Sequence, residues 1–292
     1  MRASGHRDEL SPAHTGQRAM SAGHYARPGL INAIRDGIAA LGKTPDTVTI
    51  DDLAPVDEFH IGGRRATAEL LARMGLTEGQ TVLDVGCGLG GAARFASHRY
   101  RCRVEGVDLT NDYVEAGNEI TRWLKLDARV TLRCADALAL PFPVGFFDAG
   151  YMLHVGMNVA NKEALFRGVA QVVKAGASFA VYDVMRLAAG RLAFPVPWAT
   201  INETSAVATP DEYRSALRRA GFEIVSECNR RDFAVQHFAR QQQAIDATGE
   251  APPLGLQTLM GARRKAQVRN MMENISNGLI APVEIIARRG SV

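Results

Sequence analysis

A doubly wound α/β fold on a parallel sheet is predicted by three observations. Short apolar strands alternate with helical stretches at the interval of βαβ units. The stretch from Thr81 reads as a buried strand that ends in an aspartate, Asp84, and breaks into the glycine turn Gly86-Cys87-Gly88-Leu89-Gly90-Gly91. Several later strands also finish beside an acid or a histidine, so right-handed crossovers would gather those side chains on one rim of the sheet.

The glycine turn leads into a small-residue helix, Ala92 to Ser97. Arg103 to Leu109 reads as the second strand and Asp112 to Leu124 as a helix. Val130 to Cys134 is the third strand, and Phe146 to His154 the fourth with its exit. A helix from about Lys162 to Val173 precedes the fifth strand, Ser178 to Val184. Helix Pro210 to Ala220, strand Phe222 to Glu227 and a last strand Gly278 to Ala287 complete the sheet. Ahead of it, Leu30, Ile31, Ile34, Ile38 and Leu41 give an Arg27 to Gly42 helix, with Pro28 near its start. Asp46 to Asp57 reads as a turn-rich connection. A helix through Met74 then packs Leu70, Leu71 and Met74 on the sheet and leaves Arg64, Arg65 and Arg73 mostly solvated. The expected organisation is a loose or disordered tail over 1–25, lid helices over 26–76 and a main domain over 77–292. That domain carries insertions at about 186–208 and 232–277, the second broken near Ala251-Pro252-Pro253.

Composition narrows the function classes. The 292 residues are 47% hydrophobic and 22% charged, enough for one large domain with a full core. A net charge of +3 is too small to point to nucleic acid or an anionic membrane. Cys87, Cys102, Cys134 and Cys228 form no C-x-x-C pair, so they read as reduced thiols of a cytoplasmic protein and not as a metal site. No apolar run reaches membrane-helix length, and the first two dozen residues lack a secretory h-region.

The glycine turn satisfies two ligand readings. Gly86, Gly88 and Gly91 spell G-x-G-x-x-G, and Asp108 follows about twenty residues on, as a dinucleotide site requires. Asp84 separates the two. A carboxylate beside a pyrophosphate would set anion against anion. S-adenosylmethionine carries a sulfonium and an ammonium instead, which that acid would attract. Asp84, Gly86 and Gly88 then serve the methionine end, Asp108 with Leu109 the ribose, and Asp136 with Ala137 the adenine. Met152, in the fourth strand, joins this cofactor set. A helix cap for Asp108 and a self-satisfied turn for Asp136 are the bland alternatives. His154 at the strand exit and His60 before the lid helix are the catalytic candidates. Phe59, Trp198 and Tyr182, with Phe194, could wall an acceptor cavity, and Glu203, Arg186 and Arg191 could pair with a charged acceptor.

From about Ala26 onward the chain resembles the class I S-adenosylmethionine-dependent methyltransferases of small molecules. The likeness rests on Val56-Asp57-Glu58-Phe59-His60-Ile61-Gly62-Gly63, on Asp84 to Gly91, and on Phe194-Pro195-Val196-Pro197-Trp198-Ala199. It is greatest for the sarcosine/dimethylglycine and phosphoethanolamine N-methyltransferase branch. The resemblance implies a Rossmann-like sheet of seven strands, the last antiparallel between the fifth and sixth. It also implies S-adenosylmethionine as cofactor, an acceptor enclosed by the lid and by the residues after the fourth strand, and an amine nitrogen as first-choice acceptor. The departure is the long helical insertion, whose Met260 to Met272 stretch holds Arg263, Arg264, Lys265 and Arg269. It leaves open O- or C-methylation of a larger polyketide or quinone intermediate, and it could form a homodimer surface. An oxidoreductase using NAD and a non-enzymatic protein that binds S-adenosylmethionine are the readings from other classes.

Overall fold

The computed structural model describes residues 24–248, 252–261 and 264–291. Most of the expected tail, Ala251 and Arg263 lie outside the described residues. The elements are α1 (Leu30–Ala40), α2 (Ile50–Asp57), α3 (Gly63–Met74), β1 (Thr81–Val85), α4 (Gly91–Tyr100) and β2 (Arg103–Asp108). They continue with α5 (Asn111–Trp123), β3 (Val130–Cys134), β4 (Phe147–Leu153), α6 (Lys162–Val172), β5 (Val173–Arg186) and α7 (Pro210–Arg219). The chain closes through β6 (Phe222–Asn229), α8 (Arg231–Thr248), α9 (Leu256–Met260), α10 (Arg264–Ser276) and β7 (Ile280–Arg289).

The strands form one sheet in the order β3-β2-β1-β4-β5-β7-β6, with β7 antiparallel to both of its neighbours. The order reverses direction between β1 and β4, which opens the crevice where such sheets bind ligands. Strand alternation assigns the two faces. Leu83, Val85, Met152, Phe179 and Val181 pack under α6 and α7 with Leu165, Phe166, Val169 and Leu217. Val82, Tyr151, Ala180 and Tyr182 face the other way, against Leu70 and Leu71 of α3 and Ala93 and Ala96 of α4.

Two expectations need correction. The 46–57 connection contains α2, because Thr49 and Asp52 make a reciprocal capping box strong enough to start a helix that holds Pro55 inside it. Arg64 is not mostly solvated: its side chain is only 18% exposed and its Nε lies 2.6 Å from Glu58. Arg65 and Arg73 are about half exposed, as expected, although Arg73 also reaches Glu284 at 2.6 Å.

The two insertions share one core. Leu192, Val196, Trp198 and Ala199 of the first pack on Ala234 and Phe238 of α8 and on Met271 and Ile275 of α10. Polar groups of α10, spaced three and four apart on one face, stitch the pair together. Asn274 both accepts from Ala193 N (2.8 Å) and donates to Ala193 O (3.0 Å). Asn270 donates to Pro195 O and Gln267 to Val196 O. The cap joins the lid through α9, where Leu259 and Met260 meet Leu30, Ile34 and Ile38 of α1 and Leu53 and Val56 of α2.

Candidate functional site

The switch point opens into a cavity of about 600 Å³ that the sheet rim, the lid and the cap enclose together. Its floor is the end of β1. Asp84 is buried opposite Tyr151 in the β1–β4 register, and Tyr151 donates its hydroxyl to Asp84 Oδ2 at 3.1 Å. Burial pushes the Asp84 carboxyl up to about 8, and the tyrosine hydrogen bond offsets only part of that rise.

Beyond it the chain turns through left-handed glycines. A Cβ on Gly86 (φ +72°) would sit 2.2 Å from Val155 Cγ2, so only glycine fits there. A Cβ on Gly88 would meet its nearest neighbour, Tyr113, at 4.0 Å, so a ligand has room in front of it. The amide hydrogens of these glycines are turned inward: Gly86 N donates to Val107 O and Gly88 N to Asp108 Oδ2. These amide hydrogens are therefore not free to bind a pyrophosphate.

Asp108 ends β2 and lines the cavity. Its Oδ2 accepts from Gly88 N (2.9 Å) and its Oδ1 from Thr110 N (2.8 Å), so it braces the glycine turn and the start of α5 at once. Burial raises its pKa against those amides. Each carboxylate oxygen keeps a further lone pair for a ribose hydroxyl. Asp112, in the first turn of the following helix, accepts from Arg27 N at 2.7 Å. Leu109, Asp136 and Ala137 also line the cavity. Asp136 Oδ1 accepts from Leu138 N at 2.9 Å, the turn contact foreseen as its alternative.

The two histidines stand side by side on the opposite wall, their ring centroids 5.9 Å apart. His154 leaves β4 in the left-handed region (φ 55°). Its Nε2 is buried with no hydrogen-bond partner among the described residues. Burial, and secondarily His60, hold its pKa well below the usual histidine value. His60 Nε2 lies 3.1 Å from Gly63 O, 3.1 Å from Thr67 Oγ1 and 3.7 Å from Glu58 Oε2. Burial pulls its pKa down to about 4. Thr67 donates its hydroxyl to Glu58 Oε2 at 2.6 Å. Burial raises the Glu58 pKa, and Arg64 opposes that rise.

Phe59 and Trp198, expected to wall an acceptor, line the cavity, and Trp198 Nε1 is satisfied by Ser205 Oγ at 3.0 Å. Tyr182 and Met152 do not line the cavity. The Tyr182 ring lies behind His154, stacked at 5.2 Å, and its hydroxyl donates to Ile61 O. Met152 points to the opposite face of the sheet, into the core under α6, because adjacent strand residues alternate. Asp183 is likewise withdrawn, accepting from Tyr213 at 2.8 Å. Phe194, Arg186, Arg191 and Glu203 are also off the wall.

Other wall residues carry no local sequence signal. Tyr25 donates to Asn158 Oδ1 at 3.3 Å across the cavity. Phe238 and His237 of α8, Leu259 and Met260 of α9 and Met271 of α10 complete the apolar side. Their helical spacing marks them as buried positions but does not say against what. Of the basic residues of α10, Lys265 and Arg269 are exposed, Arg264 is half-buried, and none of the three lines the cavity.

Comparison with known proteins agrees with this geometry. Residues 82–176 match the family model described as a methyltransferase domain. The chain is 27% identical over 187 residues to methyltransferase GfsG of Streptomyces halstedii, covering 63% of this chain and 65% of that one. It is 24% identical to a sarcosine/dimethylglycine N-methyltransferase of Halorhodospira halochloris, over 78% of this chain and 80% of that one. The matches span 65%, 65% and 34% of the length of the first three curated relatives. Among solved structures, geranyl diphosphate C-methyltransferase from Streptomyces coelicolor, in complex with S-adenosyl-L-homocysteine, shares the fold. The TM-score is 0.69 at 20% identity, over 96% of this chain and 100% of that one. Residues 82–176 thus carry a methyltransferase domain, and the sheet order and acid-ended glycine cradle make the chain similar to the S-adenosylmethionine-dependent methyltransferases.

Proposed function

We propose that the protein transfers a methyl group from S-adenosylmethionine to a small-molecule acceptor held between His60, His154 and the apolar cap. One observation carries this reading. The buried Asp84 carboxyl, with a tyrosine hydroxyl as its hydrogen-bond partner, opens into the same cavity as two neutral histidines. A cation at the strand end would relieve the cost of burying that acid, and the cofactor's methionine end brings one.

Asp84 and the turn at Gly86 and Gly88 would hold that end, Asp108 and Leu109 the ribose, and Asp136 and Ala137 the adenine. Bound there, the cofactor supplies an electrophilic methyl on a sulfonium. The protein's share is alignment and exclusion of water. The lid and cap supply both, since Phe59, Ile61, Met157, Trp198, Phe238 and Met271 surround the acceptor space. Aromatic faces there keep an amine nitrogen as the first-choice acceptor. The extent of the apolar wall favours a second reading, a hydroxyl on a hydrocarbon body. The four cysteines are all free thiols, which fits a reducing compartment such as the cytoplasm. Among the described residues no helix is long and apolar enough to cross a membrane.

Thermal stabilisation measured in parallel with S-adenosylmethionine, S-adenosylhomocysteine and NAD tests the cofactor. We expect the first two to raise the melting temperature; a rise with NAD alone sinks the proposal. A methylation screen over amines and hydroxylated natural products then tests the acceptor. Cofactor binding with no methylation of either set would favour a binding protein.

A further inference from the structure

Among the described residues, His60 is the one cavity histidine with a carboxylate behind it, and its hydrogen bonds define which nitrogen carries the proton. The Gly63 carbonyl, 3.1 Å from His60 Nε2, can only accept. Thr67 spends its hydroxyl hydrogen on Glu58 Oε2, 2.6 Å away, so toward His60 its oxygen can only accept as well. Both contacts therefore require hydrogen on Nε2. That leaves Nδ1 with a lone pair, and Nδ1 makes no hydrogen bond among the described residues although the ring lines the cavity. Glu58 is itself oriented, its Oε1 bound by Arg64 Nε at 2.6 Å and its Oε2 by Thr67.

We propose that Glu58 and Thr67 are positioning residues that hold His60 as its Nε2–H tautomer, so that His60 Nδ1 takes the proton the acceptor loses on methylation. The inference rests on reading the cavity as a methyl-transfer site. The acceptor's lone pair forms the bond to the methyl carbon, and the carbon–sulfur bond breaks with its electron pair left on sulfur. The acceptor's proton passes to Nδ1. The positive charge that began on sulfur thus ends on an imidazolium 3.7 Å from the Glu58 carboxylate, and leaves as that proton returns to solvent. His154 cannot take this part equally well. Its ring has Tyr182 on one side and His60 on the other, and no ion-pair partner among the described residues. Its Nε2 is buried with no hydrogen-bond partner among the described residues. The acceptor class follows: a nucleophile that loses a proton on methylation, such as a hydroxyl or an amine.

The test needs no identified acceptor. Nitrogen-15 NMR of the histidine-labelled full chain, at neutral pH with S-adenosylhomocysteine added, reports the tautomer of each ring. The His60 signals are those lost in His60→Gln. We expect Nε2–H for His60 in the parent protein, unchanged in Thr67→Ser. In Glu58→Gln an amide facing Thr67 turns the threonine hydroxyl toward Nε2, so a population of Nδ1–H should appear. An Nδ1–H ring in the parent protein overturns the proposal whether or not Glu58→Gln folds. So does an identical tautomer in the parent and a folded Glu58→Gln. Calorimetric binding of S-adenosylhomocysteine to the same samples separates the two failures. Absent binding defeats the methyltransferase reading, whereas binding with the wrong tautomer defeats only the relay.

Discussion

Arg94 and Asp57 form an ion pair with both side chains fully buried, Nη2 to Oδ2 at 2.7 Å, that ties the cradle helix α4 to the lid helix α2. The same guanidinium donates to Gly117 O and Thr121 Oγ1 of α5, each at 3.1 Å. Gly91 is part of this joint: a Cβ there would lie 2.3 Å from the Asp57 carbonyl oxygen. Three helices around the cofactor end are thus held by one side chain, and burial lifts the Asp57 pKa to about 6 despite Arg94.

Arg94→Met should therefore destabilise the fold by about 3–5 kcal/mol, since the arginine leaves behind a buried acid without a cation. Denaturant unfolding measures this directly. A loss under about 1 kcal/mol would mean that Asp57 simply takes up a proton and that the pair contributes little.

Cofactor affinity should depend on pH through Asp84. The acid holds its proton up to about pH 8 in the free protein, and a bound ammonium favours the ionised form. Binding below that value must therefore release a proton. Affinity for S-adenosylhomocysteine should rise from about pH 6 to about pH 8, approaching roughly tenfold per unit. Asp84→Asn should bind more weakly and with a flat profile. A flat profile in the parent protein would show that Asp84 does not meet the ammonium.

Asp108→Ala should weaken S-adenosylhomocysteine binding by about 1–3 kcal/mol through lost ribose hydrogen bonds. Because Asp108 also holds Gly88 N and Thr110 N, the unfolding free energy should fall too. An unchanged dissociation constant beside a lowered stability would reduce Asp108 to a brace.

Acid should destabilise the protein through its neutral cavity histidines. Burial lowers the pKa of His60 and His237 to about 4 each and holds that of His154 well below its ordinary value. Their unfolded forms take up protons near pH 6.5 while the folded forms do not, so these groups' stabilisation is present above about pH 6.5 and lost as pH falls toward about 4. Asp84 acts in the opposite sense, since its raised value favours the folded state at low pH. His154→Asn isolates one contribution: its melting temperature should drop less than the parent's between about pH 7 and about pH 5. Parallel drops would mean that His154 is not held neutral.

The sheet was legible in the sequence because a buried parallel strand writes itself as a short apolar run, and a cradle writes itself as glycines beside an acid. Strand three was read to the residue, and the antiparallel seventh strand followed from the resemblance. Asp84, Asp108, Asp136, His60 and His154 were legible for a related reason: parallel topology sends strand ends to one rim, and the lid phrase precedes it. Met152 misled because proximity to the rim in sequence does not say which face of the strand a side chain takes, and Tyr182 because it does not say that the His154 ring stacks in front of it. The hidden helix α2 turned on a capping box lying inside a stretch whose proline and aspartates resemble a turn.

Only the tertiary structure decided the rest. That the two insertions make one cap depends on Asn270, Asn274 and Gln267 meeting a loop some seventy to eighty residues away. Which nitrogen of His60 is free depends on Gly63 and Thr67 converging on the other one. The sequence by itself determined what is donated, because the donor's charge must be matched by residues adjacent in the chain at the end of β1. The pocket proposed for the recipient belongs to the tertiary structure, because the cavity wall there is assembled from Phe59, Trp198, Phe238 and Met271, four segments that only packing brings together.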